Sequence, residues 1–534
     1  MRSDVFAVLL ALLLGACATH PGKVGDVARA SSGQRPEAAT AEGVVRGIEG
    51  QGVRAFLGVP YAAPPVGELR WRAPRPVAAW EGVRDAGRIG SDCTQAISRE
   101  AILGGGGGMV FGSEDCLFLN VYRPAVETGP RPVMVYLHGG AFTIGSGANY
   151  DPSRLARTQD RVVVTVNFRL GALGWLAHDD FAPDGDGKGG NWGLMDQQAA
   201  LRWVKANIAA FGGDPEDITL FAESSGAWSA CYLMASPGSE GLYHRVILQS
   251  GPCLEPTSLN AVGPAAEAGH AFARSVGCDG PDAIACMRRL PRQTLARAAS
   301  LRSGLNGPGS WGPVFGDAMV PLSPPQAFAS GRFTRVPAIV GSNADEGRLF
   351  AVEVRDMERY DAETVWMYGA QGQAVLDRYP VGPEGPGLTM ARSFTDQRFS
   401  CPAQALRRLL AKHVPVHGYE FADPAAPMVL PRWMLPYDMG SYHASELTYV
   451  FGERWVLGDP AKFTPEQRAL SDRMMRLWAG FGHDPAFEAE WPVIREGGVP
   501  IRVFAPEGDR LDDSFFERHQ CAFWDATPWG SAAP

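Results

Sequence analysis

Residues 217–228 have the sequence DITLFAESSGAW, in which a short apolar run leads into a turn of small and polar residues. The first half of this stretch is rich in apolar and β-branched residues and predicts a buried strand. The residues after the turn, AWSACYLM at 227–234, predict a helix. Ser224 therefore lies on an abrupt turn from a strand into a helix, where its hydroxyl would stand clear of the sheet.

A serine on such a turn is typical of the nucleophile elbow of α/β-hydrolases, which usually has the pattern Gly-x-Ser-x-Gly. Ala222 stands at the first glycine position of this pattern and Gly226 at the second. Small residues are needed there because strand and helix pass very close, and a methyl group is the least intrusive replacement. The backbone N–H of Ser225 would point towards the group that Ser224 attacks. An ordinary turn serine fits the short pattern as well, so this interpretation depends on the rest of the chain.

The composition of the whole chain limits the classes of protein to consider. The 534 residues, 45% of them hydrophobic, are enough for one large or two ordinary domains. The net charge is −9 with both signs spread along the chain, and no basic patch is interleaved with aromatic residues. A nucleic acid is therefore not expected as a partner. No linker within residues 41–534 is strong enough to divide the sequence, which predicts a single domain there.

The N-terminus is predicted to be a targeting segment, residues 1–17, and not part of the fold. Its apolar run, Val5–Leu14, is too short to span a bilayer, and it leads into LGAC, which ends at Cys17. This tetrapeptide is similar to a bacterial lipobox, in which the cysteine is lipidated and becomes the new N-terminus. Ordinary secretory cleavage near the same cysteine is the alternative. Both schemes predict export: attachment to the periplasmic face of a membrane as a lipoprotein, or a periplasmic or secreted protein, with residues 18–40 as a flexible tether.

The cysteine content agrees with export. Of the nine cysteines, eight remain without Cys17, and an even number in an oxidising compartment suggests disulfides whose connectivity the spacing does not decide. Cys278 and Cys286 are close enough in sequence to close a small loop. A buried free thiol is the alternative for each cysteine. No Cys/His cluster has zinc-ligand spacing, so neither a metal site nor a cofactor is expected.

Further apolar runs predict the framework around the elbow. Buried strands are expected at residues 133–137, 162–166, 246–248 and 338–341, and a long helical pattern covers Gly193–Phe211. Runs of this kind separated by helical patterns predict a mostly parallel sheet with helices on both faces.

Three later segments have more specific predictions. Residues 351–399 lack clear strands and are expected to form helical cover. Thr464 and Gln467 are spaced as a capping box at the start of a late helix, with Pro465 in its first turn. Residues 500–504 are expected to form a last edge strand.

Acyl transfer by a serine requires a base, a carboxylate that orients the base, and backbone donors for the negative charge that develops on the carbonyl oxygen. The predicted strand that ends at Leu137 runs directly into HGGAF, residues 138–142. Glycines after a strand let the backbone approach a ligand closely. The N–H groups of Gly140, Ala141 and Ser225 are therefore the expected donors, with a plain glycine-rich turn as the alternative.

The acid and the base should follow the serine, in that order. The strand predicted at 338–341 leads into NADEG at 343–347, where spacing alone does not choose between Asp345 and Glu346. The candidate bases are the later histidines, and spacing does not choose among them either. They are His413, His417 (inside a predicted strand), His443, His483 and His519.

Longer matches then identify a family. The matching segments are GVPYA at 58–62, PPVG at 64–67, LRW at 69–71, SEDCLFLNVY at 113–122, GNWGLMDQ at 190–197 and LQSG at 248–251. With these segments the chain resembles the type-B carboxylesterases of the carboxylesterase/cholinesterase family, from about Glu42 to Trp524. The resemblance implies an α/β-hydrolase fold and a serine hydrolase that cleaves small-molecule carboxylic esters through an acyl-enzyme intermediate.

The resemblance also implies roles for individual residues. The family's acid is the Glu of an Asp-Glu-Gly turn, which corresponds to Glu346. Its histidine lies in a Gly-x-x-His-x-x-Glu-Leu-x-Tyr-Val-Phe-Gly context, which matches Gly440–Gly452 and selects His443 beside the nucleophile Ser224. The oxyanion donors correspond to the three N–H groups already named. Two positions depart from the family pattern: Ser225 replaces the usual Ala, and Ala222 replaces the usual Gly.

Disulfide pairings follow from the same resemblance. The family's disulfides correspond to Cys93–Cys116 and Cys278–Cys286, and the analogy with cholinesterases adds Cys401–Cys521. Cys231 and Cys253 remain, and they are predicted to pair with each other.

The substrate is approached through the residues expected around the site. Phe142, Trp311, Leu349 and Phe350 are predicted to line an apolar pocket. Cholinesterases hold their cationic substrate with a Trp that would fall at residues 104–109, where this chain has GGGGGM, so choline esters are not expected. The Gly-Gly-Ala-Phe form of the oxyanion motif is shared with bacterial esterases that accept bulky alcohols, which favours broad specificity.

Two alternatives to a broad-specificity esterase remain at this point. One is an enzyme dedicated to a single natural ester, such as a mycotoxin, a lipid or a polyester. The other is a non-catalytic binding domain similar to the cholinesterase-like adhesion proteins, which keep the fold and lack the nucleophile.

Overall fold

The chain divides into two compact units. Unit 1 comprises Met1–Arg245 and Leu259–Ser323, and unit 2 comprises Val246–Ser258 and Pro324–Pro534. The residues that a computed structural model describes are 35–97, 108–184, 189–254, 260–300, 311–494 and 500–526. The predicted targeting segment 1–17, with Cys17, lies outside the described residues, and the single domain expected over 41–534 stays a prediction.

The strands of unit 1 build one large sheet and two small ones. Their bounds are β1 Glu37–Ala39, β2 Val44–Arg46, β3 Ile48–Gly50, β4 Val53–Pro60, β5 Val83–Asp85, β6 Gln95–Ile97, β7 Met109–Phe111, β8 Phe118–Pro124, β9 Arg131–Leu137, β10 Val162–Val166 and β11 Gly213–Glu223. The large sheet has the order β3-β4-β8-β10-β9-β11. Within it β10, β9 and β11 are parallel, and the pairs from β3 to β10 are antiparallel. All residues of β10 are buried, as expected for a strand covered on both faces.

The folded part begins earlier than predicted. Residues 18–40 were expected to be a flexible tether, but Glu37–Ala39 forms β1 and pairs antiparallel with β2. Ala38 is buried, and Glu37 forms an ion pair with Arg46 across the two strands at 2.7 Å. The prediction was wrong at residues 37–39 because composition does not reveal such a pairing partner.

The helices of unit 1 include the long helix that the sequence predicts. Their bounds are α1 Ser153–Gln159, α2 Gly171–Trp175, α3 Trp192–Asn207, α4 Ser225–Ala235, α5 Val262–Ser275, α6 Ala283–Arg289 and α7 Arg292–Ser300. The pattern predicted over Gly193–Phe211 is confirmed by α3 and by a tighter 3₁₀ turn, Ile208–Phe211, that follows it.

Unit 2 contains a second set of strands, most of them parallel. They are β12 Arg245–Gln249 (in unit 2 from Val246 on), β13 Ala338–Asn343, β14 Val416–Phe421, β15 Ile501–Phe504 and β16 Arg510–Asp512. β12, β13, β14 and β15 lie side by side and parallel, and β16 adds to β15 in the antiparallel sense. The strand predicted at 500–504 is therefore present, but it is not the edge. The short β16 was missed because its sequence, RLD, lacks an apolar pattern.

Helices make up most of the rest of unit 2. Their bounds are α8 Pro324–Ser330, α9 Met357–Tyr368, α10 Gly372–Arg378, α11 Pro386–Thr395, α12 Cys401–Leu410, α13 Leu447–Phe451, α14 Pro465–Gly480, α15 Phe487–Glu490, α16 Phe515–Arg518 and α17 Cys521–Asp525. A π-helical turn, Asp396–Ser400, joins α11 to α12. The helical cover expected over 351–399 is thus confirmed. The capping box is also confirmed, because Gln467 N donates to Thr464 Oγ1 and Thr464 N donates to Gln467 Oε1.

Disulfides join segments within each unit. The bonds Cys93–Cys116 and Cys278–Cys286 lie in unit 1, and Cys401–Cys521 links α12 to α17 in unit 2. Cys231 and Cys253 are also disulfide-bonded, and their pairing with each other stays a prediction. Disulfides are typical of an oxidising compartment. In the described part of the chain, no helix has the length and apolar character needed to cross a membrane.

Candidate active site

The elbow predicted at Ser224 is present in unit 1. β11 ends at Glu223, α4 begins at Ser225, and Ser224 between them has φ 56° and ψ −127°. A residue other than glycine in this region of backbone space is strained by about 1–3 kcal/mol and persists only where its surroundings hold it. Such strain is concentrated at functional sites, so the backbone conformation of Ser224 supports the prediction that this serine has a chemical role.

Close packing explains the small residues around the elbow. A Cβ atom at Gly226 would overlap the carbonyl oxygen of Leu137 at the end of β9, so only glycine fits there. Ala222, by contrast, is fully buried in β11 in register with Leu137. The elbow therefore forms with alanine at the position where the usual pattern has its first glycine.

The loop after β9 is tied to the elbow. Ala141 and Phe142 have φ of 51° and 63°, so this loop holds two more non-glycine residues in the left-handed region. Phe142 N donates to Ser225 Oγ at 3.3 Å. A Cβ atom at Gly139 would lie 2.8 Å from Ser224 Cβ, which shows how closely the loop passes the serine. The hydroxyl of Ser225 is a contact that the sequence did not predict, because only its backbone N–H had been given a role.

Two of the expected pocket residues lie in unit 1. The Phe142 ring packs edge to face on Trp175 at 5.1 Å, and the Trp175 indole donates to Phe142 O at 3.2 Å. Trp311 is buried, donates to Ala299 O at 3.0 Å and packs on Phe272. Phe142 is half-buried and is held by Trp175, whereas Trp311 packs among buried residues of the same unit. Their contribution to a substrate pocket stays a prediction.

The expected acid and base meet in unit 2. Glu346 begins a 3₁₀ turn, Glu346–Leu349, shortly after β13 and is fully buried. Its Oε2 lies 2.6 Å from His443 Nδ1, and its Oε1 accepts from Asn343 N at 2.7 Å. Because a carboxylate only accepts, Nδ1 of His443 donates to it. The neutral imidazole then carries its lone pair on Nε2, as a general base requires.

The contacts of Asp345 distinguish it from Glu346. Asp345 forms an ion pair with Arg348 at 2.7 Å and accepts from Ser441 N at 3.0 Å, and its side chain is partly exposed. The contacts of Asp345 therefore hold the turn, whereas the carboxylate of Glu346 faces the imidazole of His443.

Other candidate histidines have different surroundings. His417 packs against Phe487 and Trp491, and burial lowers its pKa. His519 is bound on both ring nitrogens, at 2.6 Å by Asp396 and at 2.7 Å by Glu420. Neither arrangement leaves a neutral imidazole oriented by a single carboxylate.

Aromatic rings surround the imidazole of His443. Phe350 and Phe399 lie at centroid distances of 5.1 and 4.9 Å from it, and their own rings are stacked at 5.9 Å. Phe350 was predicted to line the pocket, whereas Phe399 was not singled out. Leu349 ends the 3₁₀ turn that begins at the acid and is half-buried. Lining of a pocket by Leu349 and Phe350 stays a prediction.

A second buried carboxyl group, Glu446, lies close to this pair. Asn343 Nδ2 donates to Glu446 Oε2 at 2.6 Å and Gln249 Nε2 donates to its Oε1 at 3.0 Å. Burial, together with the charge of Glu346, raises the pKa of Glu446 to about 7. The sequence contained a signal for this residue, the Glu three positions after the motif histidine, but it had served only as context for His443.

The raised pKa of Glu446 predicts a pH-dependent stability. A carboxyl group whose pKa is raised in the folded state binds its proton more tightly there than in the unfolded chain. Below its ordinary pKa the group is protonated in both states and does not change the free energy of unfolding. As the pH rises from there past about 7, ionisation in the unfolded chain lowers the free energy of unfolding. The full decrease is on the order of 3 kcal/mol. We expect Glu446→Gln, which cannot ionise, to gain stability relative to the wild type between pH 4.5 and 8.

Chemical denaturation at several pH values measures this difference. The exposed Glu68→Gln serves as the matched control and should stay parallel to the wild type. A stability difference between Glu446→Gln and the wild type that is constant over this pH range would contradict the prediction.

Among the described ranges, no group of three or more His, Cys, Asp or Glu side chains is arranged to hold a metal ion. The elbow, the parallel strands and the buried Glu346–His443 pair are features of α/β-hydrolases. A solved structure of PNB esterase matches with a TM-score of 0.76 and 32% identity, over 91% of this chain and 100% of that one.

The sequence comparisons define the family. The model described as "Carboxylesterase family" matches residues 34–524, so the chain belongs to the carboxylesterase family. Para-nitrobenzyl esterase of Bacillus subtilis (strain 168) is 34% identical over 500 residues, covering 91% of this chain and 98% of that protein. Fumonisin B1 esterase of Sphingopyxis macrogoltabida is 36% identical over 481 residues, with 86% and 84% covered. The protein is a serine ester hydrolase.

Proposed function

We propose that Ser224 is the nucleophile of this esterase, His443 its general base and Glu346 the group that orients the base. The observation that carries the proposal is the 2.6 Å contact between the buried Glu346 carboxylate and His443 Nδ1. The strained backbone of Ser224 at the end of β11 supports it independently. The proposal requires the imidazole to reach the serine hydroxyl in the active enzyme.

Ester hydrolysis would then take place in two steps. Nε2 of His443 takes the hydroxyl proton while Ser224 Oγ attacks the ester carbonyl, and the resulting oxyanion accepts from the N–H groups of Gly140, Ala141 and Ser225. The C–O bond to the alcohol breaks, and the alcohol leaves with the proton from the imidazole. Water, deprotonated by the same imidazole, attacks the acyl-enzyme. The bond between the acyl carbon and Ser224 Oγ then breaks, Oγ takes the proton from the imidazolium, and the acid is released.

Covalent labelling tests these assignments directly. A fluorophosphonate probe should form an adduct that peptide mass spectrometry places on Ser224, and His443→Ala should lose it. An adduct on another serine would overturn the assignment of the nucleophile. A folded, disulfide-bonded protein without any adduct would favour the non-catalytic binding domain.

The second part of the proposal is broad specificity for small-molecule esters. Two relatives are named for quite different esters, p-nitrobenzyl esters and fumonisin B1, which supports a fold that accommodates varied substrates. The rings of Phe142 and Phe350, each half-buried, would offer apolar surface to such substrates. A panel of p-nitrophenyl esters of graded acyl length tests this: similar kcat/KM over several lengths supports broad specificity, and uniformly poor values favour an enzyme dedicated to one natural ester.

The third part concerns the location of the protein. We propose export, which the disulfide bonds in both units support, and lipidation at Cys17, which the LGAC sequence suggests. Cells grown with an alkyne-labelled fatty acid should label the wild type and not Cys17→Ser. Export of an unlabelled wild-type protein would favour ordinary secretory cleavage.

A further inference from the structure

A buried cluster of charged groups in unit 2 lies outside the acid–base pair. His519 bridges two carboxylates, with Nδ1 2.6 Å from Asp396 Oδ1 and Nε2 2.7 Å from Glu420 Oε1. All three side chains are buried. Although burial alone would lower the pKa of His519, its bonds to the two carboxylates raise that pKa to about 9. The ring is therefore a cation that donates from both nitrogens.

Neighbouring groups complete this His519 cluster. Arg518 Nη2 donates to Glu420 Oε2 at 2.7 Å, and Tyr379 OH donates to Asp396 Oδ2 at 2.8 Å. The Trp524 indole donates in turn to Tyr379 OH at 2.8 Å. The cluster thus connects β14, the C-terminal helices and the start of the π-helical turn. The disulfide from α12 to α17 closes the same region covalently.

The π-helical turn connects this cluster to the acid–base pair. Asp396 is its first residue, and the preceding Thr395 accepts at Oγ1 from Gly347 N, the residue after Glu346, at 2.9 Å. Near its other end, Phe399 packs against His443. π-Helical turns are rare in proteins, and many of those that occur lie at functional sites. The π-helical turn and the residue before it therefore contact both the ring of the base and the acid's turn.

The packing leaves this turn little freedom. A Cβ atom at Gly347 would overlap the carbonyl oxygen of Ala391 in α11, so the acid's turn lies directly against the helix that leads into the π-helical turn. Phe399 is also held by the stacked ring of Phe350. A shift of Asp396 would consequently be passed to Glu346 and His443 and not absorbed by loose packing.

We propose that His519 is a positioning residue for the Glu346–His443 pair: by bridging Asp396 and Glu420 it fixes the π-helical turn that holds this pair in its reactive geometry. The expected effect of this positioning on kcat rests on the proposed function of Glu346 and His443. A purely structural role, anchoring of the C-terminal helices, would instead affect stability alone.

The test compares His519→Gln with a matched control in the same unit. Gln can donate to one carboxylate but is neutral and does not bridge both. The control is Arg502→Gln in β15, which removes an ion pair with Asp509 at 2.8 Å. Arg502 has no described contact with the π-helical turn. Both variants should lower Tm. Assays well below both Tm values should show kcat lowered roughly 10- to 100-fold for His519→Gln, because small displacements of reacting groups have effects of this size. KM should change little, and Arg502→Gln should keep its kcat.

A second readout does not depend on turnover. The hydrogen bond between Glu346 and His443 should give a low-field proton resonance that is absent in His443→Ala. We expect this resonance to shift or broaden in His519→Gln and to be unchanged in Arg502→Gln. If the wild type lacked esterase activity, the proposed function would fail while the resonance still tested the positioning.

Some outcomes would overturn the inference. A His519→Gln protein with a lowered Tm, wild-type kcat and an unshifted resonance would show an anchor for the C-terminal helices only. If that variant does not fold, Asp396→Asn, which replaces one of the two bridged carboxylates by a neutral amide, provides the same comparison. Wild-type kcat in folded Asp396→Asn, again with an unshifted resonance, would likewise contradict the role.

Discussion

Alanine in place of Ser224 is expected to abolish ester hydrolysis while the fold stays intact. The hydroxyl oxygen of Ser224 is the atom proposed to form the acyl-enzyme. Loss of a serine nucleophile lowers kcat by about 10⁴- to 10⁶-fold in enzymes of this chemistry. Stability should not fall, because Ser224 is only half-buried and its strained φ of 56° is imposed by the turn. Initial rates on a p-nitrophenyl ester and a thermal unfolding curve measure both effects.

The neighbouring serine provides the matched control. Ser225→Ala removes a hydroxyl that accepts one hydrogen bond, from Phe142 N at 3.3 Å, and keeps the backbone N–H proposed for the oxyanion. We expect its kcat to stay within about tenfold of the wild type, since one neutral hydrogen bond contributes about 1 kcal/mol. Full activity in Ser224→Ala, or an equal loss in both variants, would sink the assignment of the nucleophile.

Replacing Glu346 by glutamine is expected to lower kcat by about 10³- to 10⁴-fold. In the proposed mechanism the carboxylate fixes the proton of His443 on Nδ1 and stabilises the imidazolium that forms when the serine is deprotonated. A glutamine of the same shape offers no negative charge and can present its NH₂ group to the ring, which favours the wrong tautomer. Steady-state kinetics over a range of pH should show the loss in kcat, with KM nearly unchanged.

Asp345→Asn is the control for this variant. Asp345 is adjacent in sequence but pairs with Arg348 and accepts from Ser441 N, so its loss should reduce stability more than activity. We expect its kcat to stay within about tenfold of the wild type, because the contacts of Asp345 are with Arg348 and Ser441 and are outside the proposed catalytic residues. A severe loss in Asp345→Asn together with an active Glu346→Gln would transfer the role of the acid to Asp345.

The local elements were predictable because their signals lie within a few residues. The strand, turn and helix around Ser224 follow from a run of apolar and β-branched residues, small residues at the turn and a largely apolar segment after it, and the structure confirms them. The capping box at Thr464 follows from two side chains three positions apart. Short strands such as β1 and β16 were not predicted, because three-residue strands depend on a neighbouring strand for their hydrogen bonds.

The buried contacts around the acid and the base could not be derived from local sequence patterns. Ser225 Oγ, Glu446 and the cluster at His519 each owe their surroundings to residues far away along the chain. Glu446 has its raised pKa because burial and the charge of Glu346 act on it together. His519 is a cation because the chain brings Asp396 and Glu420 to its two nitrogens. Neither property is visible in composition or spacing.

By itself, therefore, the sequence determined the elements around the elbow, the order of serine, acid and histidine, and a resemblance that pointed to Glu346 and His443. The tertiary structure decided which carboxylate is buried against which imidazole, a contact between residues 97 positions apart. The physical reason is that spacing along the chain controls hydrogen bonding only within a helix, a strand or a turn. Desolvation, charge pairing and ring orientation arise only when distant segments pack together.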